Sequence, residues 1–287
     1  MTILITGSSG FVGTDLSRRL SGVHRLIGLD INPPVYPIDC YIECDLSTNI
    51  PELNEHIDVC IHLASSVGGF LHNINNLDIA AINQRIDSNV MSMCIVNGCQ
   101  HVVFFSSINV FEERQQFEHA PLKYNSTYAT SKINSERFFE NSCINLMIVR
   151  PTNIFGIQQT RMHKNFGESH VIPELLDKIS AAQDELVVLG DGTQQRNFVH
   201  VSDISRFVIK NLGLDGKYYF NLRSNILITI AQLANELMIF RNKIVPIRYE
   251  KCFMEFEKMK IRNFPMSVPE RFGWINSITT IQEGLNF

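Results

Sequence analysis

The most constraining feature of this 287-residue sequence is an alternation of short apolar, β-branched runs with amphipathic stretches of helical period. The strand-like runs of the first half are residues 3–6, 25–30, 40–44, 59–64, 102–106 and 146–150. Helix-like stretches between them are residues 12–20, 78–97 and 126–140, the last with Ser126 or Thr127 as its N-cap. Repeated strand, crossover and strand predict an α/β fold: a doubly wound parallel sheet with ligands at the carboxyl ends of its strands.

The alternation ends after Pro151, where a second region begins. A polar stretch over residues 158–170 is followed by a helix-like segment at 171–182 and strand-like segments at 186–189 and 198–201. We expect two regions, residues 1–156 and 157–287, the second smaller, with residues 203–222 returning to the first. No linker rich in Pro, Gly or Ser separates them, so we expect a shared interface and a ligand cleft there.

Composition narrows the class of protein. The chain is 45% apolar and 19% charged, typical of a globular protein, and no apolar run approaches the length of a membrane span. A formal net charge of -4 and a pI of about 6.1 predict no general attraction to nucleic acid or to an anionic membrane.

Residues 1–7 already read as a strand and turn, which argues against a cleaved targeting segment. The seven cysteines lack the close paired spacing of a metal site, so we expect reduced thiols, no metal and a cytoplasmic location.

A glycine-rich segment, Gly7-Ser8-Ser9-Gly10-Phe11-Val12-Gly13, lies where the first strand ends and the first helix begins. Phosphate can approach a backbone closely only where side chains are absent, and the start of a helix attracts it. Asp30 ends the second strand, where a carboxylate accepts hydrogen bonds from ribose hydroxyls and repels a 2'-phosphate. Together they predict a Rossmann-type site for NAD rather than NADP.

A second set of residues carries acid–base chemistry. Tyr128 and Lys132 are four positions apart, so they share one face of a helix. A nearby ammonium and a positive nicotinamide ring both favour the ionised phenol, which lets Tyr128 take or return a hydroxyl proton. Ser107 follows the strand at 102–106, where its hydroxyl would lie at the carboxyl edge of the sheet. Each residue is common by itself, and their order along the chain is what gives them weight.

In that order, the glycine loop, Asp30, Ser107 and Tyr128-Ala129-Thr130-Ser131-Lys132 resemble the extended short-chain dehydrogenase/reductase family of sugar-nucleotide epimerases and dehydratases. The resemblance extends over most of the chain. Further similar segments are Asp45-Leu46, His62-Leu63-Ala64-Ser65, Asn89-Val90, Arg150-Pro151-Thr152-Asn153-Ile154-Phe155-Gly156, Gln195-Arg196-Asn197-Phe198-Val199-His200-Val201-Ser202-Asp203, Arg271-Phe272-Gly273-Trp274 and Glu283-Gly284-Leu285.

The resemblance implies a role for each matching residue. Ser107 would polarise the sugar oxygen, Tyr128 would be the acid and base, and Lys132 would lower the tyrosine pKa and hold the nicotinamide ribose. Asn153 and Arg196 would face the nucleotide-sugar substrate, Arg196 as a bidentate partner of its diphosphate. The implied NAD-binding set is Gly7, Gly10, Phe11, Val12, Gly13, Asp30, Ile31, Asp45, Leu46, Leu63, Ala64, Ser65, Asn89, Tyr128, Lys132 and Pro151. A homodimer through the helices at 78–97 and 126–140 is implied as well, and Arg262 is a weaker candidate for a second phosphate clamp.

The two residues after Ser107 restrict the reaction. Family dehydratases carry Asp-Glu there, whereas this chain has Ile108 and Asn109, which cannot exchange a proton. The position of Asn109 also lacks the carboxylate of related decarboxylases and the cysteine of related epimerase-reductases. Dehydration is therefore disfavoured.

Two reactions that need only hydride and proton transfer remain. A 4-epimerase would retain NAD through turnover, which Asp30 favours. A reductase of a nucleotide-linked 4-keto-sugar would use NADH or NADPH once, and the short C-terminal region favours it. We favour the epimerase. A non-catalytic, dinucleotide-sensing member of the fold stays a third alternative, against which the presence of all three catalytic residues argues.

Overall fold

The structure, a computed structural model, describes residues 1–67, 78–111, 127–157, 170–250 and 268–286. Within these ranges the strands form a seven-stranded sheet (the main sheet), a three-stranded sheet (the small sheet) and a two-stranded pair. The strands are β1 (Thr2–Thr6), β2 (Arg25–Asp30), β3 (Cys40–Glu43), β4 (Val59–His62), β5 (His101–Phe105), β6 (Asn145–Pro151), β7 (Asn153–Phe155), β8 (Leu186–Leu189), β9 (Gln195–His200), β10 (Lys217–Leu222), β11 (Ile226–Thr229) and β12 (Ile247–Glu250).

The helices of the described residues connect these strands. They are α1 (Phe11–Leu20), α2 (Ile79–Val96), α3 (Thr127–Glu140), α4 (Val171–Ala181), α5 (Val201–Lys210), α6 (Ile230–Phe240) and α7 (Ile281–Asn286). Because α3 begins at Thr127, its capping position is Ser126, which lies outside the described residues. In this part of the chain, no helix is both long enough and apolar enough to cross a membrane.

The main sheet has the order β3-β2-β1-β4-β5-β6-β10, and every neighbouring pair in it is parallel. The chain builds outward from β1 to β3 on one side and then returns to add β4 on the other. This reversal opens a crevice at the carboxyl ends of β1 and β4, the usual ligand position in such sheets. The predicted doubly wound Rossmann-type fold is therefore confirmed.

Both faces of the main sheet are buried, which explains its nearly continuous apolar strands. Ile3 and Ile5 of β1 pack into one core with α1 and α5, whereas Leu4 between them packs into a second core with α2 and α3. Successive side chains of a strand point to opposite faces, so one short run supplies both cores. A third core lies between α4, α6, α7 and the small sheet.

Two strands link the C-terminal part of the chain to the N-terminal part. β10 pairs with β6 as the last strand of the main sheet, and α5 packs against α1. β7 comes directly after β6 but pairs with β9 in the small sheet, which β11 extends on the other side. The turn from β6 to β7 therefore carries the chain from the main sheet into the small sheet.

Some strand ends differ from the sequence prediction. β9 begins at Gln195, three residues before the predicted start, because its polar residues are buried and hydrogen-bonded: Asn197 donates to the carbonyl groups of Ser224 and Ile226 at 2.8 and 3.0 Å. β4 ends at His62, two residues earlier than predicted, and the chain then runs beside the glycine loop. Apolar periodicity detects neither a buried polar strand nor a strand that ends in a buried loop.

Candidate active site

The glycine loop joins β1 to α1 and has no room for a side chain at Gly7 or Gly13. Gly7 has a φ of 72°, and a Cβ there would lie 2.8 Å from the backbone nitrogen of Ala64. A Cβ on Gly13 would lie 2.2 Å from the carbonyl oxygen of Gly7, and Gly10 is the N-cap residue of α1. Backbone amides and the positive end of the helix dipole are thus open to a phosphate. The loop fits the pyrophosphate of a dinucleotide.

Asp30 ends β2 beside this loop. Its two carboxylate oxygens accept the backbone N–H groups of Ser9 and Asn32, each at 3.0 Å. Each oxygen has a second lone pair that can accept from a ribose hydroxyl. A cleft of about 480 Å³ lies beyond Asp30 and is lined by Ile31, Asp45 and neighbouring residues of the segment 43–51. Two of the residues predicted to bind the cofactor therefore share one cleft.

The walls of this cleft are held by local hydrogen bonds. The Asp45 carboxylate accepts the backbone N–H of Ser47 at 2.8 Å, and hydrogen bonds from Ser47 hold the Asp45 pKa below its usual value. Asn89 reaches from α2 and donates to the carbonyl of Leu46 at 2.8 Å. Asn89 thus fixes the backbone beside the cleft.

The segment after β4 lies against the end of β1. Leu63 donates to the carbonyl of Thr6 at 3.0 Å, and Ala64 donates to the Thr6 hydroxyl at 3.3 Å. These bonds bring the end of β4 to the glycine loop. The remaining predicted cofactor residues, at the start of α1, after β4 and at the end of β6, are Phe11, Val12, Ser65 and Pro151.

Ser107, Tyr128 and Lys132 lie together at the carboxyl end of β5. Ser107 follows the strand in extended backbone, and its Oγ accepts the backbone N–H of Asn109 at 3.2 Å. The Tyr128 phenol is hydrogen-bonded to the Ser107 side chain. Lys132 lies one helical turn further along α3, with its Nζ 6.0 Å from the centre of the Tyr128 ring and donating to the Phe105 carbonyl at 2.9 Å.

Burial shifts the pKa values of both ionisable groups in this trio. It raises the pKa of Tyr128 to about 12, although part of the residue faces solvent, and the hydrogen bond with Ser107 opposes this rise. It lowers the pKa of Lys132 to about 8, against the attraction of Asp87 and Glu136. Removal of the phenol from water therefore outweighs the hydrogen bond with Ser107, so the Tyr128 pKa is raised rather than lowered.

Glu136 is a buried carboxylate that was absent from the predicted site. It accepts hydrogen bonds from the hydroxyl of Ser106 and from two nitrogens of Arg150. Its position four residues after Lys132 and eight after Tyr128 places it on the same face of α3. That spacing is the sequence signal that could have indicated it.

A second buried polar cluster lies between β1, β4 and α2. The His62 ring lies 2.7 Å from the Thr6 hydroxyl through Nδ1 and 3.0 Å from the Asp87 carboxylate through Nε2. The Ser135 hydroxyl of α3 also donates to Asp87. This cluster connects the strand that precedes the glycine loop with the helix that carries Lys132.

The predicted substrate residues lie in the small sheet. Asn153 of β7 donates to the carbonyl of Asn197 at 2.9 Å, and the buried Arg196 of β9 donates to the carbonyl of Gln195 at 2.9 Å. β7 and β9 are parallel neighbours, so both side chains belong to one sheet next to the end of β6. Arg262, the other phosphate candidate, lies outside the described residues.

A parallel sheet with a glycine loop at its switch point and a Ser–Tyr–Lys trio at the end of β5 defines a dinucleotide-dependent enzyme class. Residues 3–217 match the model of the NAD dependent epimerase/dehydratase family. The chain therefore belongs to this family of enzymes that act on nucleotide sugars, and NAD is its cofactor.

Individual relatives of known activity or structure share low sequence identity with this chain. A dTDP-4-dehydro-6-deoxy-D-allose reductase from a Streptomyces species is 26% identical over 87% of this chain and 84% of its own length. The UDP-glucose 4-epimerase of Thermotoga maritima, solved with UDP-glucose, is 18% identical with a TM-score of 0.80, covering 99% of this chain and 96% of its own. The protein MoeE5, solved with UDP-glucose and NAD, is 20% identical with a TM-score of 0.77, covering 100% and 96%. The two solved structures support the fold.

Proposed function

We propose that this chain is a NAD-dependent 4-epimerase of a nucleotide sugar, which oxidises a sugar hydroxyl transiently and returns the hydride to the opposite face. The arrangement of Ser107, Tyr128 and Lys132 beside the glycine loop carries the proposal. Ser107 is followed by a turn of Ile108 and Asn109, and Ile108 is buried. This turn offers the sugar no carboxyl group, so it favours hydride and proton transfer over elimination of water.

The chain's own residues supply proton transfer and orientation. Tyr128 would take the proton of the sugar hydroxyl through its phenol oxygen, while Ser107 would hold the reacting oxygen by a hydrogen bond. Lys132, protonated over much of the neutral range, would stabilise the ionised phenol. NAD would be held by the glycine loop, by Asp30 and by Lys132, and when bound it supplies the hydride acceptor and donor.

Substrate recognition would come from the small sheet. We propose that Arg196 binds the diphosphate through two parallel hydrogen bonds and that Asn153 faces the sugar. Both flank the point where the chain leaves the main sheet after β6. We also propose that the enzyme acts in the cytoplasm as a homodimer through α2 and α3.

The test is incubation of the purified protein with a panel of nucleotide sugars without added cofactor. An epimerase converts its substrate with no net change at the NADH absorbance band. Tyr128→Phe should lower turnover by about two to four orders of magnitude, because the variant has no phenol proton to transfer. NAD binding should be retained, because the aromatic ring is still present. Tyr249→Phe, at an exposed tyrosine of β12, is the matched control. Unchanged turnover in Tyr128→Phe would show that this tyrosine is not the acid and base.

The similarity to a Streptomyces reductase favours a second function, the reduction of a nucleotide-linked 4-keto-sugar by NADH or NADPH. The same three side chains would serve it, since a ketone needs one hydride and one proton. The two functions differ in stoichiometry. A reductase consumes one reduced cofactor per product, so a strict requirement for added reduced cofactor would replace the epimerase proposal with this one.

A further inference from the structure

Glu136 joins the three elements that surround the catalytic trio. It belongs to α3 and is 1% exposed. One carboxylate oxygen accepts the hydroxyl of Ser106 and the Nε of Arg150, the latter at 2.8 Å, and the other oxygen accepts a terminal nitrogen of Arg150. Ser106 precedes Ser107 at the end of β5, and Arg150 lies in β6. A single side chain therefore connects the serine segment, the tyrosine helix and the next strand of the main sheet.

Arg150 also contacts two aromatic rings. Its guanidinium lies 5.0 Å from the ring centre of Phe111 and 5.2 Å from that of Tyr219. Phe111 directly follows the turn that begins at Ser107, so the serine segment is anchored to Arg150 a second time. A planar cation that binds a carboxylate through two nitrogens restricts the orientation of that carboxylate. Arg150 therefore orients the Glu136 carboxylate, which in turn accepts a hydrogen bond from the Ser106 hydroxyl.

Glu136 also belongs to the electrostatic surroundings of Lys132. Among the described residues, the Lys132 ammonium faces the Asp87 carboxylate from α2 and the Glu136 carboxylate from α3. It also lies near the Tyr128 ring, the Phe104 ring at 5.1 Å from its centre, and the Phe105 carbonyl of β5. The Asp87 carboxylate is hydrogen-bonded to His62 and Ser135, whereas the Glu136 carboxylate is hydrogen-bonded to Arg150 and Ser106. Only Glu136 of the two carboxylates bonds to the segment that carries the catalytic serine.

We propose that Glu136 is a positioning residue: through Ser106 and Arg150 it fixes the distance between Ser107 and the Tyr128–Lys132 face of α3. It reaches neither substrate nor cofactor and acts only through the residues that do. The inference rests on the proposed function, because it assumes that the trio performs the proton transfer. A buried ion pair adds little stability compared with apolar residues of the same volume, but it constrains geometry strongly through its directed hydrogen bonds.

Three variants test this role. Glu136→Gln removes the charge and keeps the shape of the side chain. Ser106→Ala removes one hydrogen bond and leaves the ion pair. Glu136→Gln combined with Arg150→Met removes both charges, so that no uncompensated charge stays buried. The matched control is Glu270→Gln, at an exposed glutamate of the C-terminal segment 268–286.

The first readout needs no substrate. In protein labelled with [6-13C]lysine, the Lys132 resonance is assigned by its absence from Lys132→Met, and its titration is followed by NMR. We expect it to titrate about one pH unit lower in Glu136→Gln than in the wild type, because a carboxylate that faces Lys132 has lost its charge. In Glu270→Gln the titration should be unchanged. An unchanged titration in a folded Glu136→Gln protein would overturn the proposal. Absence of turnover by the wild type would refute the proposed function and leave this readout decisive.

The second readout is turnover of whichever nucleotide sugar of the panel reacts. We expect Glu136→Gln to lower kcat by roughly 10- to 100-fold with KM changed less than about threefold, and Ser106→Ala to have a smaller effect of the same kind. The double variant should recover thermal stability without recovering kcat. Recovery of both would show a purely structural role and overturn the proposal. If Glu136→Gln does not fold, Ser106→Ala decides the question. A wild-type kcat in Ser106→Ala would overturn the proposal, whereas a reduced kcat at constant KM in that variant would support it.

Discussion

At the scale of single residues, burial has opposite effects on the pKa values of Tyr128 and Lys132. It raises the first to about 12 and lowers the second to about 8, because in each case the charged form loses its hydration. At neutral pH the tyrosine is a phenol and the lysine is mostly an ammonium. The proposed proton transfer by Tyr128 would therefore depend on positive charge beside it, which we propose that Lys132 supplies.

The Lys132 pKa predicts a dependence of stability on pH. Because the folded pKa lies below the ordinary value of 10.5, the unfolded chain binds more protons between about pH 8 and 10.5, so stability rises with pH there. We expect the unfolding free energy of the wild type to rise by roughly 2 to 3 kcal/mol relative to Lys132→Met between pH 8 and 10. Above about pH 10 the folded chain keeps the Tyr128 proton that the unfolded chain loses, so this residue makes stability fall as pH rises.

Denaturant titration at several pH values measures this difference. Lys217→Met, at an exposed lysine of β10, is the matched control and should parallel the wild type. Parallel pH curves for the wild type and Lys132→Met would show that Lys132 is not desolvated in the folded protein.

Asp30 makes a second prediction at this scale. Asp30→Asn keeps the shape of the side chain but removes its charge and half of its capacity to accept hydrogen bonds. We expect about a tenfold loss of NAD affinity and a smaller preference for NAD over NADP, measured by calorimetry. The control is Asp39→Asn, where the carboxylate accepts the backbone N–H of Leu26 at 2.8 Å near the opposite end of β2. Equal loss in both variants would point to damage to β2 rather than to a role in NAD binding.

At the scale of elements, the approach of α1 to β1 shapes the cofactor site. A Cβ on Gly13 would overlap the carbonyl of Gly7, which is backbone and cannot rotate away. Gly13→Ala should push the helix start out of line with the loop and weaken NAD binding by about tenfold or more. Gly22→Ala is the control: it has φ 75° but open space around its Cβ, so it should lower stability by about 1 kcal/mol and leave NAD affinity intact. Equal NAD affinity in both variants would contradict the role of the close approach.

At the scale of the whole molecule, the surface formed by α2 and α3 is a candidate for association. Helices α2 and α3 pack against each other and expose Ile95 and Phe138, which are 70% and 38% accessible. If the protein is the proposed homodimer through these helices, Phe138→Glu should shift it toward the monomer in sedimentation experiments. Ile244→Glu, at a residue 69% exposed after α6, should leave the association state unchanged. An unaltered state in Phe138→Glu would place the contact elsewhere.

The sequence by itself determined the features that depend on neighbours along the chain. The alternating pattern indicated the parallel α/β sheet because strand and helix periods are local properties. The glycine spacing indicated the phosphate loop, and the four-residue separation placed Tyr128 and Lys132 on one helix face. The predicted fold, family and cofactor were confirmed for this reason, since each rests on short segments of chain in a fixed order.

Only the tertiary structure decided which buried polar groups meet. Ser106 and Glu136 are 30 residues apart, and His62 and Asp87 are 25 apart. A polar residue is stable in a core only when a partner satisfies it, and that partner comes from a distant segment that no periodicity identifies. The same reason applies to the pKa values of Tyr128 and Lys132, because the loss of hydration that shifts them is a property of the packed molecule and not of the helix that carries them.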